Sequence, residues 1–246
     1  MARTDFTTPR LCLDDALALG VTAPLTPEAA NYLVNVLRLK PGARVLVFNG
    51  RDGEFAAELS GERKRATLTM TEKTREQEFP PPVDYLFAPL KHARLDYMAQ
   101  KAVEMGARSL RPVLTRRTQG GRLNLERLEA NAREACEQCG VIWRPEVFAA
   151  QPLPAALAQW PAEKLLVFCD EDAPTANPLA ALAAAPRPPA VGLLIGPEGG
   201  FDDEERALIG RLPQVLRLSL GPRILRADTA AVAALALIQA HFGDWT

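Results

Sequence analysis

"LLIGPEGGF", residues 193–201, sets an apolar run against a turn made of Gly196, Pro197, Glu198, Gly199 and Gly200. Asp202, Asp203, Glu204 and Glu205 follow at once. An apolar strand, a glycine turn and a helix start form the junction at which many α/β proteins hold a nucleotide. The charge is wrong for a polyphosphate. A helix start favours anions, but five carboxylates around one loop oppose them. The segment therefore decides the fold class while leaving its ligand open. It is either a ligand loop for something other than phosphate or an ordinary turn whose acids complement the helix dipole.

The same strand-then-helix grammar extends outward. "VDYLFAP" (83–89), "SLRPVLT" (109–115), "KLLVFC" (164–169), "VGLLIG" (191–196) and "VLRLSL" (215–220) read as short apolar strands. "RLDYMAQKAVEMG" (94–106) and "NLERLEANAREACEQCG" (124–140) read as helices closed by Gly106 and Gly140, and each of the last three strands is followed by a helical segment. Repeated units of this kind predict a parallel sheet covered on both faces. Ligands of such sheets bind beyond the carboxyl ends of the strands. Three loops occupy those ends: 169–172, 196–201 and 221–226.

Upstream the pattern is different. "RVLVFNG" (44–50) and "EFAAELS" (54–60) are joined through Asn49-Gly50 and Asp52-Gly53, a strong hairpin signal. "GERKR" (61–65) turns the chain into "ATLTMTEK" (66–73). Before them, Pro27 opens a helix that sets Tyr32, Leu33, Val36 and Leu37 on one face. A small β-barrel with one helix is expected. "TREQEFPPPVD" (74–84) then places three prolines in a row, which suit neither helix nor sheet interior, and marks the boundary.

The 246 residues are 48% hydrophobic with a formal net charge of −1, enough for a sizeable core and silent about nucleic acid. Charge distribution says more. Residues 108–127 carry Arg108, Arg111, Arg116, Arg117, Arg122 and Arg127 against the single acid Glu126, which reads as a phosphate-facing patch or as a solvated face. Cys136 and Cys139 form a C-x-x-C without a second pair, so they read as packed helix residues and no metal site is expected. "MARTDFTTPRLCLDD" (1–15) has no apolar signal core, and no stretch has the length and apolarity of a membrane span; a cytoplasmic protein is expected. There is no G-x-G-x-x-G, Gly-Lys-Ser/Thr, G-x-S-x-G or H-E-x-x-H. Dinucleotide, NTPase, serine hydrolase and zinc protease chemistries thus lack their machinery.

A neutral adenosine bearing a cation suits the acidic loop better than phosphate, and S-adenosylmethionine has that character. Glycines let the backbone approach an adenine edge closely. A second loop sharpens the reading. "LSLGPRILRADTAAVAALAL" (218–237) sets Gly221-Pro222 after a strand and ends on Asp228-Thr229, read as the N-cap of an alanine-rich helix. Arg223 and Arg226 stand three apart. One acidic loop and one with paired arginines read as a cofactor side and a substrate side, unless the arginines merely cap helix ends.

At "LLIGPEGGF" and "LGPRILRADTAA" (220–231) the sequence resembles the two signature loops of SPOUT-class RNA methyltransferases. More narrowly, it resembles the bacterial 16S ribosomal RNA uridine-N3 methyltransferases. "VLRLKPG" (36–42), "KAVEMGARSLRPVLTRRT" (101–118), "EACEQCG" (134–140) and "FGD" (242–244) carry the resemblance nearly end to end. It implies a PUA-like RNA-binding β-barrel over 1–74 and a SPOUT methyltransferase domain over 75–246. The latter is a parallel-sheet α/β domain whose C-terminal segment is threaded as a deep trefoil knot, a topology that element order alone never proposes. It also implies a homodimer, S-adenosylmethionine as donor, and 16S ribosomal RNA or the small ribosomal subunit as partner. Phe168, Cys169, Ile195, Gly196, Pro197, Glu198, Gly199 and Gly200 would wrap the donor together with Leu218, Ser219, Leu220, Gly221, Ile224 and Leu225. Arg223 and Arg226 would face the uridine, and Arg38, Lys40, Lys101, Arg116 and Arg117 would meet RNA. Three positions depart from the family pattern: Asn31 and Asn35 stand where histidine is frequent, Val141 replaces an arginine, and Asp228 replaces a glutamate.

For such a reaction the enzyme must place the base, stabilise charge on the oxygens flanking N3, and remove one proton. Arginines suit the oxygens; Asp228 or Glu137 would take the proton. Two readings compete: a SPOUT enzyme acting on a ribose 2′-OH or another base, and a non-catalytic RNA-binding assembly factor.

Overall fold

The computed structural model describes residues 5, 7–61, 65–119, 123–174 and 177–245. Arg122 and the centre of the 61–65 turn lie outside the described residues. Contacts divide the chain into two compact units: Met1–Phe79 with Arg133–Arg144, and Pro80–Ala132 with Pro145–Thr246.

The first unit contains β1 (Arg10–Cys12), β2 (Thr22–Pro24), α1 (Pro27–Ala30), β3 (Arg44–Phe48), β4 (Glu54–Ser60) and β5 (Thr67–Arg75). Its sheet has the order β1-β3-β4-β5-β2, with β1 parallel to β3 and the other pairs antiparallel. Leu11, Ala23, Val47, Leu59 and Leu68, one from each strand, share one core, so the sheet curls around it. Among the described residues β1 and β2 are not paired with each other, so the expected barrel is a curled sheet that backbone hydrogen bonds do not close. The β3–β4 turn follows its sequence: Asn49 Oδ1 accepts from the Arg51 and Asp52 amides at 3.1 and 2.9 Å, and Gly50 and Gly53 take φ of 83° and 93°.

The helix before β3 departs from expectation. After α1 the chain winds as a π-helix over Asn31–Val36, with the Leu37 amide donating to the Tyr32 carbonyl at 2.9 Å. The wider turn rotates the apolar face. Leu33 is buried and Val34 and Leu37 pack on the core, whereas Val36, assigned to that face by a 3.6-residue period, is 60% exposed.

The second unit contains β6 (Val83–Phe87), α2 (His92–Glu104), β7 (Ser109–Leu114), α3 (Leu125–Cys139), β8 (Glu146–Val147), β9 (Gln151–Pro152), α4 (Leu153–Ala158), β10 (Leu165–Cys169), α5 (Pro178–Ala183), β11 (Val191–Ile195), α6 (Asp203–Ile209), β12 (Val215–Leu218) and α7 (Ala227–Phe242). Of α3, the residues from Arg133 onward count with the first unit. They carry Cys136, which is buried with Sγ 3.5 Å from the Trp143 carbonyl, and the half-buried Cys139. All strand pairs are parallel, in the order β12-β10-β11-β6-β7-β8, with β9 also on β7. Every residue of β6 and β11 is buried, as strands covered on both faces require. On one face Leu86, Leu166, Phe168 and Leu194 pack with α4 and α6 residues such as Leu157 and Ile209. On the other, α7 packs on β11 and against α2 and α5. Among the described residues no helix is long and apolar enough to cross a membrane.

Candidate active site at the carboxyl ends of β10, β11 and β12

Because β10 is parallel to both β11 and β12, Cys169, Ile195 and Leu218 end their strands on one edge of the sheet. The three loops that leave these ends enclose a cavity of about 300 Å³.

The 196–200 loop is shaped by Phe201. The Gly200 amide donates to the Pro197 carbonyl at 2.9 Å, and Gly200 takes φ 68°. The chain then folds Phe201 back beneath the turn, edge-on to Phe168 with centroids 5.0 Å apart. A Cβ on Gly196 would come within 2.9 Å of Phe201 Cδ2 and closer still to Cε2, so this position must be glycine for the ring to sit there.

Three of the four acids after the loop, Asp202, Glu204 and Glu205, prove to be structural. Asp202 caps α6, its carboxylate accepting from the Glu205 amide at 2.8 Å, and the Glu205 carboxylate accepts from the Asp202 amide in return. Glu205 also accepts from the Arg116 amide at 2.8 Å, and the Arg116 guanidinium bridges Asp202 and Glu204. Backbone hydrogen bonding, with Arg116 nearby, holds the Asp202 carboxyl below its ordinary pKa. Of the five carboxylates that posed the question, only Glu198 lines the cavity, and it pairs with Arg94.

Asp170 and Arg206, which sequence reading missed, stand at the cavity wall. The Asp170 carboxylate is fully buried, ion-paired with Arg206 and accepting from Arg217 Nε at 2.7 Å. Arg206 also donates to Glu171 at 3.1 Å. This network ties the end of β10 to α6 and β12. A buried carboxylate needs such partners. An Asp directly after a strand end, with arginines at 206 and 217, was the signal available.

The remaining candidates scatter instructively. Cys169, Ile195, Gly196, Pro197, Glu198, Gly200, Leu218, Ser219, Leu220, Gly221, Ile224, Leu225 and Arg223 line the cavity. Phe168 lies behind it as core, and Gly199 faces the adjoining groove. Burial, with minor help from Asp170, pushes the Cys169 thiol up to about 12, so it lines the wall as a neutral group. Arg223 and Arg226 are exposed and have no carboxylate partner among the described residues. Asp228 is not the helix cap expected: α7 is capped at Arg226, and Asp228 sits in the first turn, accepting from the Thr229 amide at 2.8 Å. Glu137 belongs to the first unit, where it accepts from the Cys12 amide at 2.9 Å and burial raises its pKa. Arg38 and Lys40 are exposed on the first unit, Arg38 with φ 56°. Lys101 bonds Glu104 at 2.7 Å.

The arginine-rich segment is not one face. Arg108 pairs with Asp84 at 2.8 Å and Arg111 lies over the Phe148 ring, both towards the start of β7. Arg116 and Arg117 follow its carboxyl end, and Arg127 pairs with Asp96 on α2.

Residues 77–239 match the RNA methyltransferase domain, and residues 25–70 the RNA methyltransferase PUA domain. The chain belongs to the RNA methyltransferase family that these domains define. Similar proteins give the particular branch. Ribosomal RNA small subunit methyltransferase E of Synechocystis sp. is 33% identical over 242 residues, 94% of this chain and 77% of that protein. The protein of that name from Rickettsia conorii is 28% identical over 85% of each chain. The crystal structure of the Neisseria gonorrhoeae enzyme of the same name, bound to S-adenosyl methionine, superposes with a TM-score of 0.87 at 29% identity, covering 97% of this chain and 100% of that one. A Legionella pneumophila protein in complex with SAM gives a TM-score of 0.81 at 30% identity, covering 95% and 97%.

Proposed function

We propose that this protein transfers a methyl group from S-adenosylmethionine to N3 of a uridine in 16S ribosomal RNA, in the cytoplasm, as a homodimer whose C-terminal segment is threaded as a trefoil knot. The observation that carries the reading is the cavity of about 300 Å³ between three strand-end loops, with Arg223 on its lip and no carboxylate partner for it among the described residues. Family membership and the two SAM-bound neighbours support the donor. The uridine and its N3 rest on the resemblance of the two glycine loops.

The lining fits the donor. Ile195, Leu218 and Leu220 offer apolar walls for an adenine, while Glu171 and Glu198, each already ion-paired with an arginine, offer carboxylate oxygens as hydrogen-bond acceptors. S-adenosylmethionine, when bound, supplies a methyl group already activated on a sulfonium. The chain must then hold the uridine N3 in line with that methyl as the C–S bond breaks and the C–N bond forms. Arg223 and Arg226 stabilise negative charge spread over the two flanking carbonyl oxygens. Asp228 takes the N3 proton; its Oδ1 is held by the Thr229 amide, which fixes the carboxylate at the start of α7. Glu137 is engaged by Cys12 and is the weaker candidate.

The test is methylation of 16S ribosomal RNA from a strain lacking the gene, followed by nucleoside mass spectrometry. N3-methyluridine is expected; a 2′-O-methyl nucleoside would overturn the assigned atom. In calorimetry the protein binds S-adenosylmethionine, and absence of binding would overturn the enzyme reading altogether. Arg223→Ala and Arg226→Ala each lower transfer by about 10²–10³ while donor affinity stays within about threefold. Normal turnover in both variants would remove their assigned role.

A further inference from the structure

Beside the donor cavity, the strand-end surface continues into a groove that no donor would fill. The loop after β6 lines two smaller concavities. One, of about 20 Å³, lies between Lys91, Arg117 and Gln119 on one side and Pro197, Glu198 and Gly199 on the other. It shares Pro197 and Glu198 with the donor cavity. The second, of about 90 Å³, shares Pro89, Leu90 and Lys91 with the first and is walled by Leu95, Leu123 and Leu128. The three concavities are therefore contiguous within the second unit.

Their charges are sorted. Arg94, Arg116 and Arg127, around this groove, each pair with a carboxylate: Glu198, Asp202 with Glu204, and Asp96. Among the described residues, Lys91 and Arg117 do not. Lys91 is exposed at the N-cap of α2 with no carboxylate in ion-pair range, and Arg117 donates only to the Gly199 carbonyl, at 2.7 Å, both among the described residues. Two cations without a carboxylate partner among the described residues thus stand in the saddle between the donor cavity and the leucine-walled pocket. Asn124 stands at that pocket; its Oδ1 accepts from the Arg127 amide at 3.0 Å, which leaves its NH2 without a partner among the described residues.

We infer that this groove binds the RNA strand beside the modified nucleotide, a phosphate lying on Lys91 and Arg117 and the unstacked base of a neighbouring nucleotide entering the pocket walled by Leu90, Leu95 and Leu128. The inference rests on the RNA-methylating reading above. Cations fix a strand by its phosphates, whereas a slot walled by leucines and rimmed by Asn124 and the Arg127–Asp96 pair accepts a base face between the leucines and the base's polar edge at the rim.

Two variants test it against deproteinised 16S ribosomal RNA. Lys91→Glu weakens RNA binding about tenfold and lowers the slope of log affinity against log salt by about one. Lys91→Arg restores both. Leu95→Trp fills the pocket and raises KM for RNA about tenfold with kcat unchanged. In each, the Kd for S-adenosylmethionine and the melting temperature stay at the level of the unaltered protein. RNA affinity and KM unchanged in both charge-reversed and filled variants would overturn the inference while leaving the proposed function standing. Loss in Lys91→Glu with no effect of Leu95→Trp would overturn the base pocket. An unaltered protein that fails to methylate the RNA would overturn the proposed function, and this inference with it.

Discussion

Gly196 and Gly199 are three apart in one turn, yet they are glycine for different reasons. At Gly196 the Phe201 ring occupies the space a side chain would need; at Gly199 a Cβ would meet only Arg117 carbons at 3.5 Å, an ordinary contact. Gly196→Ala therefore displaces Phe201 and its edge contact with Phe168, costing about 1–3 kcal/mol of stability, and weakens S-adenosylmethionine at least tenfold. Gly199→Ala leaves both near their original values. Calorimetric titration and urea unfolding of the pair check this; equal losses in the two would show that the ring does not set the loop. The acids show what a sequence can and cannot say at this scale. Their excess was visible, and it disfavoured phosphate. Their division between a capping box, the Arg116 bridge and one cavity wall was not, because Arg116 lies far away in sequence and only the fold brings it to α6.

Asp84 at the start of β6 shows the same logic between elements. Its carboxylate is fully buried beside β7, accepting from Ser109 Oγ at 2.6 Å and Arg108 at 2.8 Å, with Lys164 at 3.1 Å. Burial raises its pKa, but the Ser109 and Arg108 hydrogen bonds and the nearby cations outweigh this, and the net shift is downward from 3.8. A folded-state pKa below the unfolded one adds stability that is present above pH 3.8 and lost as the pH falls through the folded value. Asp84→Asn accordingly costs about 2–4 kcal/mol near neutrality, since it strands three cations, Arg108, Arg111 and Lys164, beside a neutral group. The gap to the unaltered protein narrows as the pH falls below about 4. Urea unfolding from pH 3 to 7 measures it, and a gap that stays constant down to pH 3 would refute the assignment. Elements of this kind were legible where one pattern dominated: the β3–β4 hairpin, the apolar runs of β6, β10 and β11, and the glycine-closed α2 and α3. The π-helix was not, since its period breaks the 3.6-residue template. Nor were β8, β9 and α4, which are too short to show any period. The N-cap of α7 was misplaced by two residues because Asp228 is a good capping residue that the chain uses inside the first turn instead.

For the whole molecule, alternation of strands and helices predicts parallel direction but not strand order. That β11 lies between β10 and β6, with β12 beyond β10, leaves no local pattern, because each neighbour is chosen by a crossover and not by adjacent residues. Yet this order is what gathers the three loops around one cavity. All residues lining it belong to the second unit, so a donor bound there, as proposed, acts on that unit's loops. At a donor concentration one hundred times Kd, linkage adds about 2.7 kcal/mol to the folded state. Hydrogen exchange then slows at 169–172, 195–201 and 218–230, the segments that line the cavity, and stays unchanged at β3, β4 and β5. The comparison is a single exchange experiment with and without S-adenosylmethionine. Protection spread over the curled sheet, with none at the three loops, would place the donor elsewhere and remove the cavity from the mechanism.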